Sequence, residues 1–195
     1  MVTPMPNKKC LVIIGATGMV GGYALRFRLE DSAVISVMAI GRRPLGISHP
    51  KLNEVIHQDL SDCSGLAEPL SGQDATIFCL GVYTGAVSDT QLHDVTVDYP
   101  IEFARVLHLS SPDSVFSFLS GSGADQSGRS RMAFARYKGE AETALLRTGF
   151  SRVYIPTRIH LPCGAPQGAE PWVQSLAHGL SRVSDSFPES SHSCR

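Results

Sequence analysis

"CLVIIGATGMVGGYALRFRLED" (residues 10–31) decides the fold of this chain. It opens on a short β-rich apolar run ending in glycine, and from Met19 onward apolar residues recur at helical spacing. Between the two lie Gly15, Gly18 and Gly21, in a GxxGxxG spacing. In that spacing the first glycine permits a tight turn and the second lets backbone approach a pyrophosphate. The third lets the helix pack closely on the strand. The pyrophosphate itself would lie at the helix N-terminus, where unpaired N–H groups and the dipole favour an anion. Glycine spacing alone also suits a plain strand-to-helix turn, but a strand, a helix and a βαβ unit around it point to a dinucleotide. Thr17, Met19 and Val20 belong to the same turn and are assigned to the cofactor with the three glycines. No Gly-Lys-Ser/Thr follows, which excludes a P-loop.

Five further apolar runs follow: "AVISVMAIG" (33–41), "NEVIHQDL" (53–60), "ATIFCLG" (75–81), "SVFSFLSG" (114–121) and "SRVYI" (151–155). Between the later ones, 89–109 and 130–149 read as helices, with apolar residues three and four apart. Apolar strands alternating with helices predict a parallel sheet covered on both faces, a doubly wound Rossmann-type α/β fold. The predicted dinucleotide-binding domain spans residues 1–155.

Charge is balanced, with 17 Lys and Arg against 18 Asp and Glu, which argues against a nucleic-acid partner. The apolar run near the N-terminus is too short for a secretory signal or a transmembrane segment. The five cysteines show no CxxC spacing, so no metal site is predicted, and free thiols in a reducing cytoplasm are expected.

The second run ends in "AIGRRP", where an NAD-preferring site would carry an acidic residue for the ribose hydroxyls. Gly41 stands there instead, followed by Arg42 and Arg43, whose guanidiniums suit a 2′-phosphate; the other reading is two solvated arginines in a loop. NADP(H) is therefore expected in preference to NAD(H). Asp59 and Leu60 follow the third run, suited to an adenine edge, and Leu80, Gly81 and Val82 end the fourth, close to a cofactor ribose.

"GATGMVGG", "GRR", "DL", "CLG", "SGSGAD" and "KGEAE", in this order, resemble the atypical short-chain dehydrogenase/reductases, in the branch of TIP-type oxidoreductase and epimerase-like NAD(P)H-binding proteins. The resemblance covers roughly residues 8–155. It implies a Rossmann fold, NADP(H) at the carboxyl ends of the strands, and a Ser/Tyr/Lys site.

In such a site a tyrosine supplies the proton to the oxyanion left by hydride transfer, a lysine one helical turn later lowers its pKa, and a serine polarises the carbonyl. Lys138 matches the lysine, but Phe134 takes the tyrosine's place. A phenyl ring fills the slot and donates no proton. Tyr137 is the candidate substitute acid, although it lies about 100° around the helix from Lys138. Lys138 is also expected to bind the nicotinamide ribose; the other reading is a surface lysine paired with Glu142. Ser122 matches the family serine, with Ser120 beside it on the cofactor.

Residues 156–195 change abruptly to a Pro-, Ser-, Gly- and His-rich composition and are expected to be an irregular tail. The bases encoding "PTRIHLP", read one position out of frame, can spell the family-like Arg-Pro-Ala-Tyr-Ile-Tyr-Pro. The tail is thus either a genuine segment or the product of a frame shift near Ile155 that removes the substrate-binding part. Two functions follow: an NADP(H)-dependent oxidoreductase acting on a small carbonyl or alcohol, or a non-catalytic NADP(H)-binding protein, a redox-sensing module or a truncated relative, without turnover. A small-molecule substrate is the expected partner of the first, and the oligomeric state is left open.

Overall fold

The structure is a computed structural model that describes residues 8–157. The predicted alternation is present: β1 (Lys9–Ile14), α1 (Met19–Glu30), β2 (Val34–Gly41), β3 (Leu52–Ile56), β4 (Ala75–Phe78), α2 (Asp89–His93), α3 (Tyr99–Ser110), β5 (Val115–Phe118), α4 (Ala133–Leu145) and β6 (Val153–Tyr154). The strands form one sheet in the order β3-β2-β1-β4-β5-β6, with every neighbouring pair parallel. That is the doubly wound Rossmann order, and its reversal falls between β1 and β4, where such sheets bind ligands.

Side-chain alternation divides the apolar strands between two cores. On one face Leu11, Ile13, Val37, Ala39 and Ile77 meet Ala24, Leu25 and Leu29 of α1. On the other Val12, Ile14, Phe78, Phe116 and Phe118 meet Phe103, Leu107, Ala141 and Leu145 of α3 and α4. Phe78 is the hub of this second core, with the rings of Phe103, Phe116 and Phe118 centred 5.8, 6.2 and 6.2 Å away. Burying each such ring contributes about 1.5–3 kcal/mol.

The helix expected over 89–109 is interrupted. Asp94–Asp98 forms a π-helical turn between α2 and α3. Pro100, at the start of α3, has no N–H to give the carbonyl four residues back, so regular α-helical bonding cannot run through this point. Among the described residues no helix is long and apolar enough to cross a membrane. Cys63 and Cys79 carry free thiols. The expected tail lies outside the described residues apart from Pro156 and Thr157.

Candidate functional site

The glycine turn is built by close approach. Gly15 has φ +84°, and a β-carbon there would stand 2.9 Å from the backbone of Cys79 and Leu80 at the end of β4. A β-carbon on Gly21 would stand 2.2 Å from the Gly15 carbonyl oxygen. These contacts pull α1 onto the turn and bring β1 and β4 together at the sheet's switch point. Gly18 caps α1 in an extended conformation, with no side-chain cap and no acidic residue in the first turn. The N-terminal donors of the helix and its positive dipole end are therefore left for an anion.

Beside the turn opens a cleft of about 300 Å³. Gly15, Ala16 and Thr17 line it from the turn, Gly41, Arg42 and Arg43 from the end of β2, and Leu60, Leu80 and Val82 from the loops after β3 and β4. Glu54 and His57 complete the β3 side, and Gln91, Asp94 and Tyr99 the α2–α3 side. The arginine loop is held in place. His57 N–H donates to the Gly41 carbonyl at 3.0 Å, and Gln58 Nε2 to the Arg42 carbonyl at 2.9 Å. The Glu54 carboxylate accepts the Leu45 N–H at 2.7 Å. Gln91 is fixed by a capping box with Ser88 at the start of α2.

Other sequence-predicted cofactor residues lie around this cleft without lining it. Met19 and Gly81 are exposed, and Val20 is half-buried. Asp59 is turned to its own loop: its carboxylate accepts the Ser61 N–H at 2.9 Å, and this bonding holds its pKa below the usual carboxylate value. Glu54, His57, Gln58, Gln91, Asp94 and Tyr99 were not singled out from the sequence. They come from elements whose approach to β1 is set by tertiary packing, and no local motif marks them.

The chemical end gathers at the carboxyl end of β5. Lys138 is 5% exposed, which rules out a surface lysine. Its ammonium donates to the Leu119 carbonyl at 2.8 Å and lies 4.3 Å from the centre of the Phe118 ring. Burial lowers its pKa from 10.5 to about 8, opposed by the neighbouring Glu142 carboxylate. Ser120 Oγ donates to Glu142 Oε1, and Ser122 is exposed in the turn that follows. Phe134 shares Lys138's helix face, its ring centre 5.9 Å from the Lys138 ammonium. Tyr137 points elsewhere: its hydroxyl donates to Asp89 at 2.7 Å, and its ring meets His93 edge-on at 4.9 Å. The bond to Asp89 raises the Tyr137 pKa, which makes the phenol a poorer proton donor.

Solved structures share this arrangement of strands and helices. WbmH of Bordetella bronchiseptica, in complex with NAD+, superposes with a TM-score of 0.67 at 15% identity, over 93% of this chain and 74% of that one. The oxidoreductase ylbE of Lactococcus lactis gives 0.59 at 18%, over 74% and 67%. No protein-family model matches. With the glycine turn, the strand order and the Ser–Lys cluster already described, the chain is similar to the NAD(P)-binding proteins of the atypical short-chain dehydrogenase/reductase class.

Within that class it is similar to the mitochondrial protein fmp52 of Aspergillus clavatus, 31% identical over 151 residues, and to protein HTATIP2 of Rattus norvegicus, 29% identical over 152. These matches cover 74% and 76% of this chain but only 63% and 61% of those relatives, so the chain spans less than two thirds of their length. The fungal names correct the expectation of a cytoplasmic protein: those relatives are mitochondrial. A missing secretory signal carries no information about a mitochondrial address, which is basic and amphipathic rather than apolar.

Proposed function

We propose that the chain binds NADP(H) in preference to NAD(H), as the dinucleotide-binding part of a mitochondrial oxidoreductase-type protein, and that its own residues bind the cofactor without supplying the usual acid. Gly15, Gly18 and Gly21 leave room for backbone to meet the pyrophosphate, with the N-terminus of α1 behind it. Arg42 and Arg43 flank the adenosine 2′-phosphate, and Thr17, Leu60, Leu80 and Val82 line the same cleft. Met19, Val20 and Gly81 reach the cofactor from the rim, whereas the Asp59 carboxylate stays on the Ser61 N–H. Ser120 and Lys138 stand toward the nicotinamide end. When bound, the nicotinamide supplies hydride exchange with a carbonyl or alcohol carbon.

One observation carries the reading on catalysis. The face of α4 that presents Lys138 presents Phe134 one turn earlier, where a proton donor would be needed. Lys138 then orients the ribose, and Ser122 polarises a carbonyl that enters. Tyr137, held by Asp89, braces α4 against α2. The second reading is an active oxidoreductase, favoured by the buried Lys138 and the exposed Ser122; its proton would come from water or from Tyr137 after release from Asp89. NADPH oxidation against a panel of small carbonyl compounds separates the two: binding without turnover supports the first, and steady turnover supports the second.

A further inference from the structure

Glu142 lies one helical turn beyond Lys138 on the same face of α4 and is 5% exposed. A carboxylate taken out of water at such a place is costly unless donors surround it. Two do, from different parts of the chain. Ser120 Oγ donates from the end of β5, and Gln126 Nε2 donates at 2.8 Å from the loop between β5 and α4. The same loop touches α4 at Gly139, where a β-carbon would stand 2.1 Å from the Asp125 carbonyl group. Lys138 gives its hydrogen bond to Leu119 O, so the carboxylate acts on the ammonium through its field and not through a direct bond.

We propose that Glu142 is a positioning residue of the site, one that claims the Ser120 hydroxyl, fastens the Gln126 loop to α4 and keeps Lys138 in its ammonium form. A hydroxyl that gives its proton to Glu142 cannot give it to a substrate carbonyl. Carbonyl polarisation therefore falls to Ser122, and Ser120 holds the strand end in register with the helix. The other titratable group facing Lys138 is the Cys79 thiol, whose own pKa is pushed up to about 12 by burial, so it is neutral where Lys138 titrates. This inference rests on the reading of Lys138 as a cofactor ligand, but its test does not.

The test is the ionisation of Lys138 in the cofactor-free full chain, followed through its 13Cε resonance with pH, the signal being assigned by its loss in Lys138→Arg. In wild type the midpoint is expected at about 8. Glu142→Gln removes the charge and keeps an oxygen for Ser120, and it should lower that midpoint by about one unit. An unchanged midpoint in a folded Glu142→Gln protein overturns the proposal, because a merely structural residue would leave it where it was. A second variant keeps the charge: Glu142→Asp should hold the Lys138 midpoint near its wild-type value, and a midpoint lowered as far as that of Glu142→Gln contradicts the proposal. NADPH titration of the same samples is read separately: lack of binding by wild type would sink the cofactor reading and leave the Lys138 result intact.

Discussion

The ε1 and ζ carbons of Phe134 stand 3.0 and 3.1 Å from the point where a β-carbon on residue 121 would be, so the ring lies on the bare backbone of Gly121. The far edge of the ring is thereby brought to the loop that carries Ser120 and Ser122, on the Lys138 side of α4. A site with this layout lacks one oxygen.

Phe134→Tyr restores that oxygen. Its hydroxyl is added at Cζ, on the ring edge that lies against Gly121 and on the helix face shared with Lys138. Where wild type turns over poorly or not at all, the variant should oxidise NADPH faster against a carbonyl panel, by about 10²- to 10⁴-fold, the usual contribution of a positioned acid. Wild-type turnover equal to that of the variant would show that another group supplies the proton.

Gly21→Ala tests the turn. Its β-carbon would stand 2.2 Å from the Gly15 carbonyl oxygen, and backbone cannot yield as a side-chain tip can. Helix α1 must move away, at a cost of roughly 1–3 kcal/mol. The thermal midpoint should fall and NADPH binding should weaken more than stability alone explains. An alanine variant that binds the cofactor as wild type does would remove the turn from the site.

Lys138 sets a pH dependence of stability. Its folded pKa of about 8 is below its ordinary 10.5, so the unfolded chain binds the extra proton between these values. The resulting destabilisation is present in full below about pH 8 and is relieved as pH rises toward 10.5. The stability of wild type minus that of Lys138→Met should therefore increase across this window, measured by urea unfolding at each pH. Taking the difference cancels the opposing contribution of the buried thiols Cys63 and Cys79, whose pKa values are pushed up to about 12. A flat difference would mean that Lys138 titrates alike folded and unfolded.

The parallel sheet and its covering on both faces were legible in the sequence because strands buried on both sides read as apolar runs between helical periods. The turn was legible because Gly21 answers to the backbone of Gly15 within the same motif, whereas the contact of Gly15 with Cys79 and Leu80 comes only from the fold. The π turn at Asp94–Asp98 was not, since apolar spacing through it still resembles one helix. Nor was the far wall of the cleft. Glu54 of β3 and Gln91 and Tyr99 of α2 and α3 line it only because tertiary packing brings those elements around the cleft. The direction of Tyr137 follows from helix geometry, which puts it well around α4 from Lys138, but its partner Asp89 could come only from the structure. Glu142 looked like a surface partner of Lys138; burial and Ser120 give it a different part.

The affinity of the full chain for NADPH against NADH measures the proposed binding of a 2′-phosphate by Arg42 and Arg43. Charge-assisted hydrogen bonds of this kind contribute about 1.5–3 kcal/mol, so NADPH should bind at least about tenfold more tightly, with the difference lost in Arg42→Ala/Arg43→Ala. Equal affinities, or a preference for NADH, would contradict it.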